Sequence, residues 1–156
     1  MRIVIQRVRR ASVAVDGREV ASIGTGLLAL VGFASHERPG SEFVRMAERL
    51  VSLRIFDDPQ GRLNRSLQDV GGELLLIPQI TLTASFEQGA RPSFHTAAAP
   101  EDARQFFETF TAAVRARYPR VAVGMFQSHM LISLENDGPV TVVLDSALPT
   151  PSQEPA

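Results

Sequence analysis

Two short stretches carry the polar groups best placed for chemistry: PQITL at 78–82 and NDGPVT at 136–141. In the first, Gln79 and Thr81 set an amide and a hydroxyl into an otherwise apolar run. Pro78 removes a backbone donor there, which points to an edge, a bulge or a strand end. In the second, Gly138 admits unusual dihedrals, and Pro139 gives up its N–H where a strand should be starting. Amides and carbonyls of this kind orient a substrate rather than attack it. The usual attacking groups are missing. There is no G-x-S-x-G elbow, P-loop or H-E-x-x-H. Cysteine is absent, and His36, His95 and His129 lack ligand spacing, so neither a metal nor a cofactor is expected. Taken alone, PQITL reads as an edge strand with Gln and Thr facing solvent, and NDGPVT reads as a hairpin loop.

The elements that must position these stretches follow from hydropathy. RIVIQRV alternates, with Ile3, Ile5 and Arg7 on one face and Val4, Gln6 and Val8 on the other. SVAVDGREVASI predicts a hairpin with Asp16-Gly17 at its turn, and GLLALVGF predicts a buried strand. Past the Pro39-Gly40 break the period changes. Phe43, Ala47, Leu50 and Val51 recur at helical spacing, with Ser41 as N-cap. GGELLLIPQITL is a further apolar run, and DDPQGRLN before it is a turn. A second helix is predicted from about Pro100 to Tyr118, with Ala103, Phe106, Phe107, Phe110, Ala113 and Val114 as its apolar stripe. VAVGMF, HMLISLE and PVTVVLD supply the last strands, the latter two joined as a hairpin. The order lacks regular βαβ alternation. The expected fold is α+β, with mixed, partly barrel-like β-sheets covered by two main helices. Residues 1–147 form a single domain, and 148–156 a Pro-rich, disordered tail.

The 156 residues, 44% hydrophobic and 21% charged, fit one soluble domain. The formal charge of −1 excludes the global basic field of a non-specific nucleic-acid binder. All 16 basic residues are arginine, a compositional bias that also suits bidentate phosphate contacts. No run approaches the roughly 20 apolar residues of a membrane span, and the N-terminus lacks a signal-peptide pattern. A cytoplasmic location is expected.

In order, LLLIPQITLTASFEQGARPSF and then MLISLENDGPVTVVL resemble the D-aminoacyl-tRNA deacylase family. That family carries S-Q-F-T-L, a downstream R-P-S-F, and N-x-G-P-V-T. Gln79, Thr81 and Leu82 match the first motif, Arg91 to Phe94 the second, and Asn136, Gly138, Pro139, Val140 and Thr141 the third. The opening IQRV…ASVAV and GLLALVG are similar too, so the resemblance extends to about residue 145.

The resemblance implies hydrolysis of the ester joining a D-amino acid, or glycine mischarged on tRNA-Ala, to the terminal adenosine of tRNA. It implies no obligatory side-chain nucleophile and no cofactor. It also implies a homodimer in which Gly138-Pro139, joined by a cis bond, turns two carbonyls toward the partner subunit's substrate. Two fixed acceptors can hold an α-ammonium group and crowd out the wrong enantiomer. By the same resemblance Gln79, the backbone at Ile80, and Thr81 line the reaction centre, and Phe126 and Met130 belong to the adenosine pocket. Arg7 props the Gly-Pro segment. Read without the resemblance, Phe126 and Met130 are core residues, and Arg7 is a strand arginine paired to a carboxylate.

Pro78 and Ile80 depart from the family's serine and phenylalanine. A related animal paralogue also begins this motif with P-Q and acts on misacylated L-alanyl-tRNA. Relaxed chirality is therefore an alternative reading, and a non-catalytic module that binds the tRNA end is another.

Overall fold

A computed structural model describes residues 1–146; the predicted tail at 148–156 lies outside the described residues. The chain opens with β1 (Arg2–Val15), which turns at Asp16-Gly17 into β2 (Arg18–Ile23). Both turn residues have positive φ, 49° and 74°, as a tight hairpin with right-handed strand twist requires. Next come β3 (Gly26–Gly32), α1 (Ser41–Ser52), the short hairpin β4 (Phe56–Asp57) and β5 (Leu63–Arg65), and α2 (Leu67–Val70). Then follow β6 (Glu73–Pro78), a 3-10 turn (Ile80–Thr83), α3 (Pro100–Arg115), β7 (Val121–Val123) and β8 (Leu131–Asp145).

Six strands form one sheet in the order β2-β1-β3-β6-β7, with β8 on the other edge of β1. The β1 strand is long enough to serve three neighbours. Its first half pairs with β3, its second half with β2, and nearly its whole length with β8. The sheet curls until β2 approaches β6 and β7, which makes it barrel-like. The pairs β3–β6 and β6–β7 are parallel. Parallel neighbours need a crossover, and α1 and α3 lie in those two crossovers. The sequence order hid this alternation because β4, β5 and α2 interrupt the first crossover.

Both helices lie against one face of the sheet. Phe43, Met46, Ala47 and Leu50 of α1 meet Ala103, Phe106, Phe107, Phe110 and Val114 of α3 in a core that includes Ile3, Ile5, Leu27 and Leu76. Phe33 packs on Phe43 with ring centroids 5.4 Å apart and on Phe106 at 5.9 Å, the latter edge-to-face. A second core fills the inside of the curl with Val8, Val13, Ile23, Leu28, Leu75 and Ile77.

Four local expectations are corrected. Ser41 is the first residue of α1, not its cap: Gly40 occupies that position, and no side chain caps the end. The α3 helix stops at Arg115, three residues before Tyr118, whose hydroxyl donates to Gly72 O at 2.5 Å instead. Gln79 and Thr81 do not share a strand face, because the strand ends at Pro78 and the chain tightens into the 3-10 turn. NDGPVT is not a hairpin loop. It is a bulge within the continuous strand β8, where the register against β1 shifts around Val8.

Candidate active site

The parallel strands β3, β6 and β7 end on the same side, and a cleft of about 330 Å³ opens beyond their carboxyl ends. Ligands in sheets with parallel strands commonly bind there. Val31, Gly32, Pro78, Gln79 and Ile80 line one side, and Phe126, Ser128, His129 and Met130 the other. Pro78 thus acts as a strand terminator that releases the chain into the cleft. The Gln79 N–H makes the last ladder-like bond, to Val31 O at 2.8 Å, and the 3-10 turn begins one residue later.

Gln79 is half-buried and donates through Nε2 to Thr81 Oγ1. That bond fixes the amide of Gln79 and occupies the hydroxyl of Thr81. Thr81 is exposed and does not line the cleft, so it braces Gln79 from outside. Ile80 is 47% exposed, a large apolar side chain presented at the rim. The first bonded N–H of the turn is that of Leu82, to Gln79 O at 3.4 Å, so the N–H groups of Ile80 and Thr81 precede the turn's own ladder.

Two glycines that sequence reading did not single out make this geometry possible. A Cβ on Gly32 would sit 2.7 Å from Gln79 O and 2.9 Å from Leu82 Cβ. A Cβ on Gly124 would sit 2.8 Å from Ile77 Cδ1 and 3.0 Å from Met130 Sδ. Their signal was available, since each directly ends an apolar strand run. Phe126 packs its inner side on the helix-facing core and Met130 on the core inside the curl, while both still line the cleft. Both residues are thus partly buried against the cores and also open to the cleft.

Arg7 is a buried strand arginine that contacts both a carboxylate and the backbone just before Gly138. It is only 5% exposed. Its Nε donates to Asp137 O and its Nη1 to Ile55 O, each at 2.9 Å, and Nη1 also lies 3.3 Å from the Asp57 carboxylate. The carbonyl it holds is the one immediately before Gly138. Gly138 has φ 129°, and a Cβ there would lie 2.8 Å from Val140 Cγ2 and 3.0 Å from Arg7 Nη2. The Gly138–Pro139 peptide bond is cis, as the resemblance implied. Asn136 spans the bulge: its Oδ1 accepts from Val140 N at 2.9 Å, and its Nδ2 donates to Thr141 Oγ1 at 3.1 Å. Asn136 and Thr141 thus hold the shape that Gly138 and Pro139 occupy.

Gly138 and Pro139 are exposed and do not line the cleft of their own chain. Register explains the separation. Pro78 pairs with Val31 and Val31 with Ile3, whereas the bulge lies opposite Arg7. Four strand residues separate those levels, about 13 Å at 3.3 Å per residue. Among the described residues β8 pairs only with β1, and it carries Leu131, Leu134 and Val143 exposed.

The site therefore holds oriented amide and backbone groups, an aromatic and a thioether on the facing wall, and a separate rigid bulge on an open strand. The sequence matches the D-Tyr-tRNA(Tyr) deacylase family over residues 4–145. It is 50% identical over 147 residues to the D-aminoacyl-tRNA deacylase of Chloroflexus aurantiacus, covering 94% of this chain and 91% of that one. The enzyme of the same name from Azotobacter vinelandii is 48% identical over 146 residues, covering 94% and 100%. Among solved structures, the c-Myc DNA unwinding element binding protein superposes with a TM-score of 0.89 at 34% identity, covering 95% of this chain and all of that one. Motifs, fold and cleft converge, and the chain belongs to the D-Tyr-tRNA(Tyr) deacylase family.

Proposed function

We propose that this protein is a hydrolase that cleaves the ester bond of D-aminoacyl-tRNA, releasing the free D-amino acid and tRNA as a chiral proofreading step in translation. The observation that carries this reading is the cleft itself. The ends of β3 and β6 bring Gln79 and Ile80 to the same hollow as Phe126 and Met130. Phe126 and Met130 receive the terminal adenosine, for which base–aromatic stacking contributes roughly 1–3 kcal/mol. Gln79 and the backbone N–H at Ile80 face the ester and stabilise its developing oxyanion, with Thr81 holding the Gln79 amide in place. Water adds to the carbonyl carbon, the acyl–oxygen bond breaks, and the departing ribose oxygen takes the proton. The ester is already activated, so a positioned water suffices, assisted by the tRNA's own 2′-hydroxyl.

The working unit is a homodimer. The exposed apolar residues of β8 and its open edge support that reading, as does the distance between the bulge and the cleft of the same chain. The partner subunit's Gly138–Pro139 supplies the two carbonyls that take the substrate's α-ammonium group. Glycyl-tRNA, which lacks a side chain to exclude, enters the same site. On this reading the protein acts in the cytoplasm, where translation uses aminoacyl-tRNA.

A single assay tests these statements: deacylation of D-tyrosyl-, L-tyrosyl-, L-alanyl- and glycyl-tRNA by the purified protein. Rapid loss of D-tyrosyl and glycyl esters with intact L-tyrosyl-tRNA is expected. Pro78 and the exposed Ile80 at the rim favour a second reading, in which chirality is relaxed, and comparable loss of L-alanyl-tRNA would establish it. Binding of tRNA without any ester cleavage would overturn the hydrolase and leave an RNA-end binding module.

A further inference from the structure

The wall of the cleft that carries Phe126 contains a backbone anomaly. Gln127 has φ 55°, in the left-handed region that non-glycine residues seldom adopt, and nothing in its own side chain makes that conformation cheap. Both Phe126 and Gln127 are held by one residue outside the cleft, Arg104 on the first turns of α3. Its guanidinium carbon lies 4.9 Å from the centroid of the Phe126 ring, and its Nη2 donates to Gln127 Oε1 at 2.7 Å. The helix is fixed against the cleft one residue earlier, because Ala103 is buried and, with Pro100, lines it. The guanidinium is thus anchored at its root and makes two contacts of different kinds to consecutive residues of the wall.

We propose that Arg104 is a positioning residue for the nucleoside end of the aminoacyl-tRNA substrate, clamping the Phe126–Gln127 segment in the shape that receives the terminal adenosine. This rests on the deacylase reading above. The cation lies over the ring and fixes its plane, while the ring still lines the cleft where a base would stack. The bond to Gln127 holds a left-handed residue that would otherwise relax. Direct capture of a phosphate is a poorer account of Arg104, since Glu101 and Asp102 line the same rim and offset its charge.

The test measures steady-state deacylation of D-tyrosyl-tRNA by wild type, Arg104→Ala, Arg104→Lys, Gln127→Gly and the Arg104→Ala/Gln127→Gly pair. Arg104→Ala is expected to raise KM about five- to ten-fold with kcat within about two-fold, the scale of losing a cation–π contact and a charge-assisted hydrogen bond. Arg104→Lys should recover part of the loss, since it keeps a cation near the ring but not the planar fork. Glycine tolerates the left-handed backbone, so Arg104→Ala should cost less on the Gln127→Gly background than on wild type. An unchanged KM in Arg104→Ala would overturn the clamp, as would equal costs on the two backgrounds. A flatter salt dependence of KM in Arg104→Ala would overturn it in favour of direct phosphate contact. An inactive wild type would sink the deacylase reading instead. The clamp is then judged on the free protein by 1H–15N spectra. Shifted Phe126 and Gln127 amides in Arg104→Ala would support it, and unshifted ones would refute it.

Discussion

Replacing Arg7 tests the link between a buried guanidinium and the exposed bulge. Two separate nitrogens of Arg7 serve two carbonyls on different elements: Nε holds Asp137 O and Nη1 holds Ile55 O, both at 2.9 Å. A lysine ammonium cannot reach both, so Arg7→Lys keeps one bond and loses the other. Hydrogen bonds to charged groups are worth about 1.5–3 kcal/mol each. The half-exposed Asp57 pairing adds little, about 0–1 kcal/mol. Arg7→Lys is therefore expected to lose about 1.5–3 kcal/mol, or roughly 3–10 °C in Tm for a domain of this size. Arg7→Met, which keeps the buried stem but neither bond, should lose about twice that. In Arg7→Met activity should fall further than stability, because that variant gives up the bond holding the carbonyl before Gly138. A misplacement of about 1 Å at a reaction centre costs on the order of a hundred-fold. The assay is deacylation of D-tyrosyl-tRNA at a temperature where circular dichroism shows each variant fully folded. Wild-type kcat/KM in folded Arg7→Met would refute the inference that Arg7 sets the bulge.

Three further outcomes are expected. Gly32→Ala drives a Cβ into Gln79 O and Leu82, so the 79–82 turn must move; kcat should drop by on the order of a hundred-fold, and wild-type turnover would show that the turn does not orient the ester. Phe126→Ala should raise KM about five- to hundred-fold with kcat little changed, the worth of one base–aromatic stack; titration of the free tRNA end checks whether the loss lies in binding. The third concerns acid stability. Backbone and side-chain hydrogen bonds from Ser66 hold the Asp69 carboxyl below its ordinary range. A carboxylate depressed on folding contributes stability above its unfolded pKa and loses it as pH falls through the folded one. Ser66→Ala, which removes the hydroxyl but keeps the backbone donor, should lower Tm near neutrality through the lost cap and lower it less toward acid; an unchanged gap at low pH would refute the hydroxyl's part in depressing the Asp69 carboxyl.

Much of this site was legible in the chain because it depends on residues that break local rules. Pro78 in an apolar run and Gly138-Pro139 in a strand pattern both announced themselves, and both proved to be points where β pairing stops or bulges. Arg7 was legible as an arginine on an apolar face, since a buried guanidinium must find partners. What was not legible is long-range. A turn-forming tetrapeptide inside β8 looks the same whether the chain reverses or merely bulges, and only the uninterrupted partner β1 decides between them. The two parallel crossovers were obscured in the same way, because periodicity reports which face is buried and not which strand lies beside it. Gly32 and Gly124 matter for the atoms that approach them from elsewhere in the chain, and Arg104 matters through a ring twenty-two residues on.

The pairing of β1 with β8 also bears on how the protein is made. The first strand to emerge is the centre of the sheet, yet the strand covering its other edge is the last, with Arg2 bonded to Asp145 across 143 positions. Contacts of such sequence separation slow folding, because the loop between them must be ordered before they reward it. On the ribosome, at about 5–20 residues per second, β1 waits several seconds or more with that edge open. During that interval this edge of β1 has no strand beside it, since β2 and β3 both pair along the opposite edge. The strand that closes the sheet is also the one carrying Gly138 and Pro139. Assembly of the sheet and delivery of the bulge are therefore a single late event, and a nascent chain without β8 has neither.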